Sequence, residues 1–171
     1  MKVFLTGFMG SGKTTIGKKL ANYLKYEFID LDKLIESQTG MTIVSYFAAH
    51  GEEVFRETER EILQQTDYPP NVIVATGGGA PCYSDNMEWM NANGKVAYLS
   101  LSPAALASRL EHSTADRPLI RGLRGDDLVN FIKSKLEERE VFYNQAQYII
   151  SASDLTASKL AFYLGIKELN S

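Results

Sequence analysis

Residues 7–14 read Gly-Phe-Met-Gly-Ser-Gly-Lys-Thr, a complete G-x-x-x-x-G-K-[ST] loop. The apolar run Lys2–Thr6 stands directly before it, and Ile16, Leu20 and Leu24 recur at four-residue spacing after it. The context is a short buried strand, a glycine-rich turn and an amphipathic helix. Glycines let the backbone wrap a phosphate with its N–H groups inward. The helix that follows adds its positive N-terminus. Gly10, Ser11, Gly12, Lys13, Thr14 and Thr15 are the expected contacts to a nucleoside triphosphate. Lys13 would reach the β- and γ-phosphates, and the Thr14 hydroxyl would ligate Mg²⁺. The competing reading, a strand-to-helix turn with no ligand, does not require the full motif.

The rest of the chain alternates between the two periodicities. Strands are expected at Lys2–Thr6, Glu27–Asp30, 72–76, 96–101 and 147–150. Helices are expected from the loop through Leu24, then at 33–39, 42–50, 52–65, 84–93, Pro103–Glu111, 126–146 and 155–164. Ser102 is the N-cap of the helix that opens with Pro103. Strands separated by helices imply βαβ units, hence a parallel sheet with helices on both faces. In such sheets ligands lie beyond the carboxyl ends of the strands. At 171 residues one domain is expected, and the span 1–171 is read as such.

A triphosphate loop does not say what is done with the triphosphate. The Asn-Lys-x-Asp tetrad of Ras-type GTPases is absent, and the chain is too short for a large ATPase motor. A small kinase remains. Asp30-Leu31-Asp32 closes the second strand, where i and i+2 share a face. One carboxylate is suited to lie near Mg²⁺, directly or through water. The other can accept a proton from an attacking hydroxyl. Alternatively, Asp32 is only the N-cap of the helix at Lys33. Arg56 and Glu59 share a helix face, which alone describes an ordinary surface ion pair. Gly77-Gly78-Gly79 makes sense where something must approach the backbone closely or where φ must be positive. The polar, basic stretch around Arg117, with Arg121 and Arg124, could close over phosphates. Arg139 follows Glu137 and Glu138 on the long helix, where a solvated charged face is the default.

In order and spacing, GFMGSGKTT (7–15), FIDLD (28–32), FRETE (55–59), TGGGAP (76–81), DRPLI (116–120) and Arg139 resemble the shikimate kinase family, over Met1 to about Leu164. The resemblance implies a three-layer α/β P-loop kinase fold of the nucleoside monophosphate kinase type. Its five-stranded parallel sheet would have order 2-3-1-4-5, with a shikimate-binding segment at about 32–62 and a mobile lid at about 112–125. It implies transfer of phosphate from ATP to the 3-hydroxyl of shikimate, in the route to chorismate and the aromatic amino acids. Lys13, Asp32 and Arg117 would be catalytic. Asp32 would bind and orient the shikimate hydroxyls, and Asp30 would lie near Mg²⁺ with Thr14. Arg56 and Arg139 would grip the shikimate carboxylate, and Gly78 and Gly79 would meet the substrate with Glu59 in support. Arg109 would stack on adenine, and the loop at 151–155, including Ser153, would cover its other face. Members are usually monomers. The rival readings are a gluconate or nucleoside monophosphate kinase, and a non-catalytic ATP-binding switch.

Charge and composition narrow the partners. With 18 Lys+Arg against 21 Asp+Glu the formal net charge is -3, so no overall basic field attracts nucleic acid. No stretch approaches the ~20 apolar residues of a membrane span. A single cysteine, Cys82, excludes an intramolecular disulfide. With no targeting segment visible, a cytoplasmic protein is expected.

Overall fold

The structure is a computed structural model that describes residues 1–167; residues 168–171 of the expected single domain lie outside the described part. Five parallel strands, β1 (Lys2–Thr6), β2 (Glu27–Asp30), β3 (Val72–Ala75), β4 (Lys95–Ser100) and β5 (Tyr148–Ser151), form one sheet in the order β2-β3-β1-β4-β5. The registers Asp30↔Ala75, Leu5↔Ala75 and Thr6↔Tyr98 bring the carboxyl ends of the inner strands to one edge. The phosphate loop, the aspartates and the glycine run all leave the sheet there.

The central strands are apolar on both faces, as a sheet covered on both sides requires. Val3, Leu5, Ile73, Ala97 and Leu99 face α1 (Lys13–Leu24) and α7 (Ala157–Tyr163). Phe4, Val72, Val74, Val96 and Tyr98 face a second core. That core is built with α2 (Leu31–Thr39), α3 (Ile43–Gln65), α4 (Asn86–Asn93), α5 (Pro103–Glu111) and α6 (Gly125–Tyr143). Trp89 packs here, its ring edge-on to Phe4 at 5.8 Å.

Several element ends differ from the sequence expectation, each for a local reason. Helix α2 begins at Leu31 rather than Lys33, because Asp30 is its N-cap and accepts from the Lys33 amide at 3.3 Å. Asp32 is therefore neither a cap nor a strand residue; it lies in the first turn of α2. Helix α4 starts two residues late, since Ser84 holds φ 51. In α7 the first turn is set by Thr156, whose side chain accepts from the Lys159 amide. The two expected helices at 42–50 and 52–65 run together in α3, broken by Gly51 at φ 80, ψ 171.

Candidate active site

The phosphate loop curls at the head of β1, with Gly10 at φ 82 and Gly12 at φ 91, a region open to glycine. The Lys13 ammonium is folded inward and donates to the carbonyls of Gly7 at 2.7 Å and Phe8 at 3.0 Å. Burial pushes its pKa down to about 8, against the pull of Asp32. The Ser11 hydroxyl is buried without a hydrogen-bond partner. A cleft of about 510 Å³ opens over the loop, and Asp30, Asp32, Gly77, Gly78, Arg109 and Arg117 complete its walls.

The two aspartates are divided in role by one residue of helix. Asp30 Oδ2 accepts from the Thr14 hydroxyl at 3.0 Å, while its Oδ1 caps α2. An adjacent hydroxyl and carboxylate at the cleft wall form the hard oxygen donor set suited to Mg²⁺. Among the described residues no cluster of three or more His, Cys, Asp or Glu could hold a metal by itself. Burial raises the Asp32 pKa, and the neighbouring Asp30 charge adds to the effect.

None of Gly77, Gly78 and Gly79 has a positive φ, so the glycine run answers to close approach alone. A Cβ on Gly77 would come within 2.8 Å of Asp32 Oδ1. On Gly78 it would lie 3.3 Å from Arg139 Nη1, and on Gly79 it would lie 2.5 Å from Arg56 Nη2. Three consecutive glycines thus admit three side chains, those of Asp32, Arg139 and Arg56. Arg56 Nη1 donates to Glu59 Oε1 at 2.7 Å. Glu59 is buried, which pushes its carboxyl up to about 7 against the pull of Arg56. Arg139 lies over the Phe8 ring at 5.4 Å.

Other contacts were not visible in the motifs. The fully buried Tyr143 donates from its hydroxyl to the Gly78 carbonyl at 2.5 Å and stacks on Tyr98. It lies one helical turn beyond Arg139, the one sequence signal that could have pointed to it. Tyr83 covers the Arg56 guanidinium at 4.0 Å from ring centroid to Cζ. No local pattern marks that contact. Burial raises the Cys82 thiol to about 11, which leaves it a poor nucleophile.

On the nucleotide side Arg117 lines the cleft, half-buried, with Nε unpartnered, and burial lowers its pKa. The segment at 112–125 leans on the body through Ile120 and Leu123, and Glu111 Oε1 accepts from the Gly125 amide at 2.7 Å. Arg109 bridges two backbone segments, donating to Ser11 O at 3.1 Å and Ala152 O at 3.2 Å. Ala152 and Leu155 reach the cleft; Ser153 faces a separate hollow beside β5 and α7.

Known proteins match this geometry across nearly the whole chain. The sequence model for shikimate kinase matches residues 9–169. A shikimate kinase of Bacteroides thetaiotaomicron is 46% identical over 155 residues, covering 91% of this chain and 89% of its own. The crystal structure of a shikimate kinase from that organism superposes with a TM-score of 0.92 at 42% identity, over 97% of this chain and 99% of the other. A shikimate kinase from Acinetobacter baumannii, solved in complex with shikimate, gives 0.81 at 34% identity, over 96% and 93%. By the sequence model that spans residues 9–169, the relative at 46% identity and the superposition at a TM-score of 0.92, the chain belongs to the shikimate kinase family.

Proposed function

We propose that this chain transfers the γ-phosphoryl group of ATP to the 3-hydroxyl of shikimate, giving ADP and shikimate 3-phosphate on the route to chorismate. The observation that carries the reading is the glycine run. It seats Asp32, Arg139 and Arg56 side by side, next to a triphosphate loop with its lysine in place. A small acid with several hydroxyls needs both halves: guanidinium forks for the carboxylate and a carboxylate for the hydroxyl.

The residues divide the work as follows. Arg56 and Arg139 hold the acceptor's carboxylate and so set its orientation, with Glu59 steadying Arg56. Asp32 accepts a hydrogen bond from the attacking hydroxyl and takes its proton as the bond to phosphorus forms. Phosphoryl transfer depends mostly on positioning and charge stabilisation, so aligning the hydroxyl is the larger part of that task. Gly10–Thr15 cradle the phosphates, Lys13 neutralises the β- and γ-oxygens, and Arg117 closes on the transferring group. Thr14 and Asp30 would hold Mg²⁺, Asp30 through water; the ion would supply positive charge against the negative charge of the phosphates. Arg109, braced on Ser11 and Ala152, flanks the adenine, and Ser153 borders that end from outside the cleft. We take the chain to act as a monomeric single domain, 1–171, in the cytoplasm, with the segment at 112–125 as a mobile lid and no nucleic-acid or membrane partner. Among the described residues no helix is long and apolar enough to cross a membrane.

A coupled ADP-release assay tests the reading, with shikimate run beside gluconate, AMP and no acceptor. Turnover with shikimate alone is expected; rapid turnover of gluconate or AMP and none of shikimate would overturn it. A pH profile tests Lys13. Its charge is full below about 8 and is lost as pH rises through that value. Accordingly kcat/KM for ATP, which reports the free enzyme, should fall above about pH 8. A profile flat to about pH 10, the ordinary lysine range, would show that Lys13 keeps its proton.

A further inference from the structure

Only one of the three Arg56 nitrogens has a hydrogen-bond partner among the described residues, Nη1 on Glu59. Nε is buried and unpartnered, with the nearest carboxylate oxygen, Glu52 Oε1, at 3.6 Å. Nη2 occupies the space that a Gly79 side chain would fill. Neither nitrogen of the Nε–Nη2 edge therefore has a hydrogen-bond acceptor among the described residues. A planar fork binds a planar carboxylate well only when the two planes agree. What sets the plane of this guanidinium decides which anions fit.

Tyr83 sets it. Its ring lies 4.0 Å from Arg56 Cζ, nearer than the rings of Phe55 at 5.2 Å and Phe47 at 5.9 Å. The ring is anchored at its tip, where the hydroxyl donates to Glu52 Oε1 at 2.9 Å. Glu52 stands one helical turn before Arg56 on α3, so ring, acid and guanidinium close a triangle. The other end of Tyr83 belongs to the backbone that continues from the glycine run through the 3₁₀ turn Ala80–Cys82. The two walls of the carboxylate subsite thus meet in this residue.

We propose that Tyr83 is a positioning residue for carboxylate recognition. It clamps the face of Arg56 so that the Nε–Nη2 edge meets a planar acid group. The proposal rests on the assignment of Arg56 to the acceptor's carboxylate. It makes Tyr83 a determinant of KM for shikimate, with no part in ATP binding.

Steady-state kinetics of Tyr83→Ala, Tyr83→Phe, Arg56→Ala and the Tyr83→Ala/Arg56→Ala double variant test it, with thermal melts as a check on folding. Tyr83→Ala should raise the shikimate KM roughly tenfold, the size of a cation–π contact in a partly desolvated site, and leave the ATP KM unchanged. Tyr83→Phe keeps the ring and should raise it only about two- to threefold, as for one exposed hydrogen bond. On the Arg56→Ala background Tyr83→Ala should add nothing, because its effect runs through the guanidinium. Additive effects, an unchanged shikimate KM in Tyr83→Ala, or equal rises in both KM values would overturn the proposal while leaving Arg56 in its role. An unchanged shikimate KM in Arg56→Ala would instead overturn the assignment of Arg56, and the proposal with it.

Discussion

Asp32→Asn should lower kcat at least ~100-fold while the fold and the KM for ATP hold, the low end for losing an acid–base group. The substitution keeps the size of the side chain, which matters because Asp32 Oδ1 occupies the space beside Gly77. It removes the negative charge and with it the capacity to take a proton. Asp32 has no capping duty to confuse the result, since Asp30 caps α2. Burial and the Asp30 charge raise the Asp32 pKa, which makes the ionised form a better base than an exposed carboxylate. Steady-state turnover under saturating substrates decides the matter. A kcat near that of the parent would remove Asp32 from the transfer step.

Arg56→Ala should raise the shikimate KM about 10- to 100-fold, since a hydrogen bond to a charged group contributes about 1.5–3 kcal/mol. ATP affinity should change little. The same substitution strips the buried Glu59 of its partner, a change that costs about 3–5 kcal/mol when the orphaned charge stays ionised. Protonation offers Glu59 an escape. Its folded pKa, about 7, already lies above the ordinary glutamate value of 4.5, and loss of Arg56 raises it further. A carboxyl with a raised folded pKa contributes stability that is fully present below the unfolded value, about 4.5, and lost as pH rises through the folded one. The melting temperature of the variant should therefore fall short of the parent's by more at pH 8 than near pH 5. A deficit independent of pH would mean that Glu59 does not titrate there.

The strands themselves were readable from local chemistry, while their order, β2-β3-β1-β4-β5, was legible only through the family resemblance of the motifs. A glycine loop needs its strand and helix, and FIDLD and TGGGAP each terminate a strand at the same edge of the sheet. The setting of the residues was less readable. Asp30 and Asp32 were expected to share a strand face. The Asp30 cap instead turns the chain into helix two residues earlier, and Asp32 enters the cleft from a first helical turn. The glycine run left two explanations open, positive φ or close approach. Only the side chains arriving from α2, α3 and α6 decide between them. Tyr83 went unmarked for the same reason: a contact across distant segments leaves no spacing in the sequence. The adenine end was the least legible. Arg109 is engaged with backbone carbonyls, and backbone recognition places no demand on the partner residue type.

Asp30 presents its two carboxylate oxygens to two different substrates' territories. Oδ2 answers to Thr14 at the nucleotide loop, and Oδ1 answers to the amide that starts the helix bearing Asp32. A single rigid group cannot reorient toward one without altering its grip on the other. Such a shared group gives the two sites a common term in their free energies. By linkage, whatever ATP does to the affinity for shikimate through this carboxylate, shikimate does to the affinity for ATP by the same factor. The junction of β2 and α2 thus ties the nucleotide loop to the helix that bears Asp32.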